Sequence, residues 1–198
     1  LGTVPAVLTG LLFKKQLKSA FFNPTSIAVV AIVFACFMLA SEWWAKRRAR
    51  HTPPRDTTAI GWLDALWVGL WQACALMPGG SRSGTTITGG LFAGLTRESA
   101  ARFSFLLSLP IILGAGLKEL YDEYKKIGSP QPGEPASLFA ASDDVAALVV
   151  GTFVSAVVGY GAIAFLLGFL KRYSMNVFVA YRLMLAAAIF GLIGANLL

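Results

Sequence analysis

The sequence predicts an all-α, polytopic membrane protein with a re-entrant helical hairpin. Three observations carry this. The 198 residues are 56% hydrophobic and 14% charged, whereas soluble domains run nearer a quarter charged. The apolar residues gather in runs of bilayer-spanning length, about 20 residues each, and do not alternate over the ten-residue segments of a membrane β-barrel. Finally, the glycine- and hydroxyl-rich turn Pro78-Gly79-Gly80-Ser81-Arg82-Ser83-Gly84-Thr85-Thr86 interrupts apolar sequence on both sides.

Leu1–Phe13 reads as the end of a helix whose start is absent, and a basic loop with Lys14, Lys15 and Lys18 follows. Asn23-Pro24-Thr25 marks the next helix start, since Asn caps and Pro is tolerated in the first turn. A span then runs from Thr25 to about Trp44, where Trp43 and Trp44 suit the headgroup level. The stretch 46–55 is the most basic in the chain. It reads as a cytoplasmic topology determinant, with an anionic-lipid or partner patch as the other reading.

The segment from Thr58 to Met77 holds Trp62, Asp64, Trp67, Trp71 and Gln72 and stops at Pro78; Thr86–Leu95 follows the turn. Neither half makes a comfortable span, so 58–95 is predicted to be a re-entrant hairpin. Irregular backbone at membrane depth is tolerated where protein or a cavity surrounds it. Further spans are predicted at about 99–120, with a kink at Pro110, at 145–170 and at 177–198. Between the first two of these lies a polar, Pro- and Gly-rich loop, 121–144. Gly151, Gly159, Gly161 and Gly168 are expected to admit a neighbouring helix closely. Arg97 and Arg102 read as interface residues, and Asp64 as a local cap or pair. With 46–55 and 171–172 in the cytoplasm, the acidic 122–144 loop falls outside, provided 58–95 returns to the side it left.

The net charge of +7 lies mainly in short loops and is no nucleic-acid footprint. Cys36 and Cys74 read as isolated, packed thiols. His51 is the only histidine, so a His-based metal site or triad has no material here.

The chemistry concentrates in the turn. An unpaired guanidinium in hydrocarbon costs about 3 kcal/mol on insertion scales, so Arg82 needs an anion or a watery cavity. Ser81, Ser83, Thr85 and Thr86 add hydroxyls, and the backbone adds N–H groups. This is equipment for an oxyanion, most naturally phosphate.

Pro-Gly-x-Ser-Arg-Ser-Gly at 78–84, with Gln72 before it and Thr86-x-Thr88-Gly89-Gly90 after, resembles the second motif of the bacterial undecaprenyl-diphosphate phosphatases of the bacitracin-resistance type. The resemblance continues in Phe103-Ser104-Phe105-Leu106-Leu107-x-x-Pro110, in Tyr181-Arg182 and in Pro5-Ala6-Val7-Leu8-x-Gly10-Leu11-Leu12-Phe13.

It implies an integral membrane hydrolase that converts undecaprenyl diphosphate to undecaprenyl phosphate and inorganic phosphate in cell-wall carrier recycling. It also implies an inverted-repeat architecture. Residues 1–57 would be the last two spans of the first repeat plus the basic loop, and 58–198 the second repeat. The first repeat's glutamate-rich motif and Ser-Ser-Thr-Gly-His-like turn are not in this sequence, so the N-terminal part of that repeat is expected to be missing. The chain would then hold half of an active site and be inactive alone.

By the same resemblance Arg82 would clamp the diphosphate, with Ser81 and Ser83 as donors and, failing an adjacent base, less readily as nucleophiles. Gly79, Gly80 and Gly84 would let backbone approach the anion, beside Thr85. Gln72 would orient water or phosphate, or else make an interhelical hydrogen bond. Arg182 would reach the phosphate, or else snorkel to the interface. Mg²⁺ or Ca²⁺ would bind carboxylates outside this chain, which itself supplies no metal ligand. Partners would be a long-chain prenyl diphosphate, the lipid bilayer and a second copy in a homodimer. The location would be the bacterial plasma membrane, the cavity facing the periplasm or exterior. A transporter or flippase for an anionic lipid or phosphate is the rival, told apart by carboxylates facing the turn.

Overall fold

The computed structural model describes residues 1–128, 142–195 and 197; side chains 14–20, 126–128 and 142–144 are outside the description. The described residues form seven α-helices: α1 Val4–Phe21, α2 Pro24–Arg48, α3 Trp62–Cys74, α4 Arg82–Phe92, α5 Arg97–Gly128, α6 Ser142–Arg172 and α7 Asn176–Gly194. A 3₁₀ turn, Thr57–Ala59, precedes α3. No β-strand occurs among the described residues. Four helices are long and apolar enough to cross a membrane: α2, α5 over Arg97–Lys125, α6 over Val145–Arg172, and α7.

Local chemistry sets the boundaries. The Asn23 side chain accepts from the Ser26 N–H at 2.8 Å and Pro24 takes the first helical position, so α2 starts where the sequence predicts. Its last turn carries Lys46, Arg47 and Arg48, the charge a helix C-terminus favours. Thr96 opens α5, its hydroxyl oxygen accepting from the Ser99 N–H at 3.1 Å.

Two expected loops are partly helix. Lys14, Lys15 and Lys18 lie within α1, because lysine is a good helix former and no breaker occurs before Asn23-Pro24. The polar stretch after Leu120 continues α5 to Gly128, and α6 begins at Ser142; polarity alone does not stop a helix. The remainder of the expected loop, 129–141, lies outside the described residues.

The chain divides into two units. One comprises Leu1–Leu107 and Phe169–Leu198. Its centre is α2, which packs on α7 and α4, while α3 packs on α4 and α1 on α3. Ala28, Ala31 and Ala186 are buried at the α2–α7 contact, flanked by Ile32 and Ile189. Small residues there let two helices approach without a hydrophobic driving force in lipid. Trp71 stacks on Phe92 at 5.5 Å and meets Phe37 edge-on at 5.4 Å. A Cβ at Gly89 would come within 2.7 Å of the Trp71 ring, so this glycine seats α3 on α4.

The other unit, Ser108–Gly168, holds the remaining lengths of α5 and α6. Pro110 lies inside α5, and Lys118 pairs with Asp122 at 3.1 Å. Close packing is expected on the α6 glycines; among the described residues nothing stands within 4 Å of a Cβ built at Gly151, Gly159, Gly161 or Gly168. Cys36 and Cys74 are exposed rather than packed. In a lipid solvent a small apolar side chain has no need of a protein interior.

Candidate functional site: an arginine turn between two short helices

α3 and α4 are 13 and 11 residues, about 20 and 16 Å at 1.5 Å per residue, against a hydrocarbon layer of about 30 Å. Their outer ends meet. Arg55 donates two hydrogen bonds to Asp64 near the start of α3, at 2.6 and 3.0 Å, and one to the Ala93 carbonyl just past α4, at 2.8 Å. Backbone bonds from the Arg55 N–H to Gly94 O and from the Thr96 N–H to Arg55 O, both 2.9 Å, complete the joint. The Asp64 hydrogen bond raises the Arg55 pKa above its ordinary value. Asp64 also accepts from the Gly61 N–H at 3.0 Å, so it both caps and pairs.

The inner end is the turn. Gly79 has φ +89° and Ser81 φ +48°, the one non-glycine residue at positive φ among those described. A serine held there stores about 1–3 kcal/mol of strain, which surrounding bonds must hold. Those bonds come from threonines: the Thr85 hydroxyl lies 2.6 Å from Gly80 O and 2.8 Å from Ser81 O, and Thr88 donates to Gly84 O at 2.8 Å. Thr86 bonds Arg82 O at 2.8 Å and shares a 2.6 Å bond with Ser104 on α5. Thr85 therefore stands behind the turn, fixing its carbonyls, rather than in front of it.

Ser81 caps α4, its Oγ accepting from the Gly84 N–H at 3.4 Å. The Arg82 and Ser83 N–H groups make no backbone hydrogen bond among the described residues, as expected for a first helical turn. Ser81 is exposed, and Arg82 and Ser83 are half-buried. The Arg82 guanidinium and the Ser83 hydroxyl have no hydrogen-bond or ion-pair partner among the described residues.

Arg182 arrives from α7 and is 7% exposed. It donates to Gly79 O at 3.2 Å and lies 3.7 Å from the Met38 sulfur. No carboxylate accompanies it among the described residues. Gln72, 2% exposed, has neither amide atom hydrogen-bonded among the described residues.

The glycines serve differently from the expectation. A Cβ at Gly79 would collide with Ile27 O of α2. One at Gly80 would come within 2.8 Å of Met77 O, inside the turn itself. At Gly84 it would lie 3.3 Å from Ser81 Oγ and 3.7 Å from Arg182 Cζ. Gly79 and Gly80 thus admit protein backbone, while Gly84 leaves room for the second guanidinium.

The family model described as "Bacitracin resistance protein BacA" matches residues 1–188. The chain belongs to the BacA family. An undecaprenyl-diphosphatase of Prosthecochloris aestuarii is 44% identical over 196 residues, covering 98% of this chain and 66% of the relative. One from Chlorobium phaeobacteroides strain BS1 is 44% identical over 193 residues, covering 97% and 64%. One from Chlorobium chlorochromatii is 43% identical over 196 residues, covering 98% and 66%. The chain therefore spans about two thirds of the length of these relatives.

Within this BacA chain, sequence reasoning passed over Glu42. It is 3% exposed and accepts from Arg97 at 2.8 and 2.6 Å and from the Met175 N–H at 3.0 Å. It ties α2 to the starts of α5 and α7, so Arg97 is a structural ion-pair partner rather than an interface residue. The available signal was the cost of an acid at the end of a long apolar run. Arg102 is exposed and pairs with Glu98 at 2.6 Å. No group of three His, Cys, Asp or Glu side chains able to hold a metal occurs among the described residues. Glu42 and Asp64, the carboxylates of the helices around the turn, are engaged by Arg97 and Arg55, so the residues at the turn do not fit a metal site.

Proposed function

We propose that this chain works in an integral membrane phosphatase that hydrolyses undecaprenyl diphosphate to undecaprenyl phosphate and inorganic phosphate. The observation that carries this reading is that Arg82 heads α4 at the strained turn while Arg182, from α7, donates to the Gly79 carbonyl of the same turn. Neither arginine has a carboxylate partner among the described residues, in a family whose relatives are named for that reaction. Two unpaired cations in an apolar setting are costly unless an anion completes them.

The turn's depth suits a lipid-borne substrate. If Trp43 and Trp44 mark the headgroup level, Met38 lies about 9 Å and Ala31 about 20 Å along α2, at 1.5 Å per residue. The turn touches α2 at Met38 and between Ile27 and Ala31, so it brackets the middle of a ~30 Å layer. A diphosphate could meet it there while its prenyl tail stays in the bilayer.

In this reading Arg82 binds non-bridging oxygens of the terminal phosphoryl group, and Arg182 adds a second charge. Ser83 and the open N–H groups of α4 donate to the same oxygens, aided by the positive end of the helix. Gln72, buried and unpaired, orients phosphate or water. Water adds at the terminal phosphorus and the bridging oxygen departs with undecaprenyl phosphate. Ser81 and Ser83 lack an adjacent base among the described residues, which favours donor over nucleophile. Mg²⁺ or Ca²⁺ stays part of the proposal, its ligands lying outside this turn. A bacterial plasma-membrane location with the cavity facing outward, an inverted-repeat plan and a homodimer complete the reading.

Arg82→Ala in the intact protein is expected to lower phosphate release from a long-chain prenyl diphosphate at least ~100-fold, the scale of losing a preorganised donor, with folding unchanged. Near-wild-type release by the purified variant would sink the assignment.

A further inference from the structure

A second basic feature lies away from the turn, at the outer ends of α3 and α4. A cavity of about 370 Å³ opens there, between the end of α2, the Leu91–Glu98 link and the end of α6. Lys46, Arg48 and Lys171 line it, and Leu91, Leu95 and Leu170 form an apolar floor.

Its charge is unbalanced. Glu98 is the one carboxylate on the lining, and Arg102 and Lys171 already share it at 2.6 and 3.2 Å. Arg97, also on the lining, is neutralised by Glu42. Lys46 and Arg48 make no ion pair among the described residues, although Lys46 acts through charge on Glu42 and Arg48 on Asp64, carboxylates already bonded by Arg97 and Arg55. The Arg48 guanidinium packs against Gly94, at φ +85°, where a Cβ would come within 2.6 Å of Arg48 Cζ. Its one hydrogen bond among the described residues is long, 3.5 Å to Ala93 O. The first residues of α5 complete the wall with the positive end of a 32-residue helix.

Helix-dipole preference and membrane topology account for basic residues in this stretch, but not for their convergence. Arg47 and Arg50 belong to the same run and do not line the cavity; Arg47 lies 5.3 Å above the Trp43 ring instead. We propose that this cavity is a binding site for a phosphate group, either a phospholipid headgroup or free phosphate. Cations at the wall suit the phosphate, and the leucine floor suits the first carbons of a glycerolipid. The site is separate from the Arg82 turn and does not depend on the activity proposed for it.

The test is thermal unfolding of the intact protein in phosphatidylcholine nanodiscs, with and without phosphatidylglycerol and, separately, with inorganic phosphate. Phosphatidylglycerol is expected to stabilise the wild type. Lys46→Gln with Arg48→Gln should weaken that apparent affinity by about fivefold per charge removed, whereas Arg47→Gln with Arg50→Gln should leave it near wild type. Lys46→Gln alone should give one such step if the Arg48 variant fails to fold. Stabilisation by inorganic phosphate that the same variants lose would identify the free anion as an occupant, and stabilisation by the lipid alone would identify the headgroup. No stabilisation by either, or equal loss in the Arg47/Arg50 pair, would overturn the proposal.

Discussion

The two ends of the α3–α4 hairpin use arginine in opposite ways. At the outer end the Arg55 charge is paired with Asp64 and also bonds Ala93 O, and nearby Arg97 is paired with buried Glu42. At the inner end Arg82 has no partner among the described residues, and Arg182 has a carbonyl and a thioether sulfur. The backbone follows the same division. The outer joint is closed by paired backbone bonds, while the turn holds a strained serine and leaves the first N–H groups of α4 open. A cation with its own carboxylate is a fastener. A cation held in place by carbonyls and threonines, without a counter-charge, is prepared for an anion that arrives later.

Substitutions can break this contrast. The largest stability effect is expected from Arg97→Met, which strands the Glu42 carboxylate; losing one partner of a buried pair costs about 3 kcal/mol or more. Chemical denaturation in a mild detergent should register it, and a loss below about 1 kcal/mol would show that the pair fastens little. Arg55→Ala comes next, at about 1–2 kcal/mol, since Arg55 is partly exposed yet bonds three acceptors across the hairpin's ends. Hydrogen exchange should rise first at Gly94 and Thr96, and uniform exchange across the chain would argue against a local clamp.

Ser81→Gly is the smallest and has the opposite sign. Glycine relieves the positive-φ strain, so stability should hold or rise by up to about 1 kcal/mol, while loss of the hydroxyl lowers phosphate release. A destabilised Ser81→Gly protein would mean that the serine side chain, rather than the turn's threonines, holds that conformation.

Much of this architecture was legible in the sequence, because lipid imposes strong rules. Asn23-Pro24 marks the start of α2 through capping chemistry, and the Pro-Gly-Gly interruption between short apolar segments marks α3 and α4. Ser81, Arg82 and Ser83 stand out as anion-binding candidates through charge and hydroxyls in an apolar setting, and Arg182 through the resemblance alone. What stayed hidden depends on long-range pairing. Glu42 meets Arg97 across 55 positions and Met175 across 133, and no local pattern encodes either. Thr85 read as a ligand because hydroxyl content does not reveal which way a hydroxyl points. The glycines of the turn read as room for an anion, whereas packing against Ile27 and Met77 accounts for two of them.

The most direct measurement sets Arg82→Met beside Arg97→Met in one unfolding experiment on the intact protein, with phosphate release followed in parallel. The contrast predicts that Arg97→Met is markedly less stable, while Arg82→Met unfolds at or above the wild-type midpoint with its phosphate release lost. An Arg82→Met protein destabilised as much as Arg97→Met would contradict it, because Arg82 would then be another fastener.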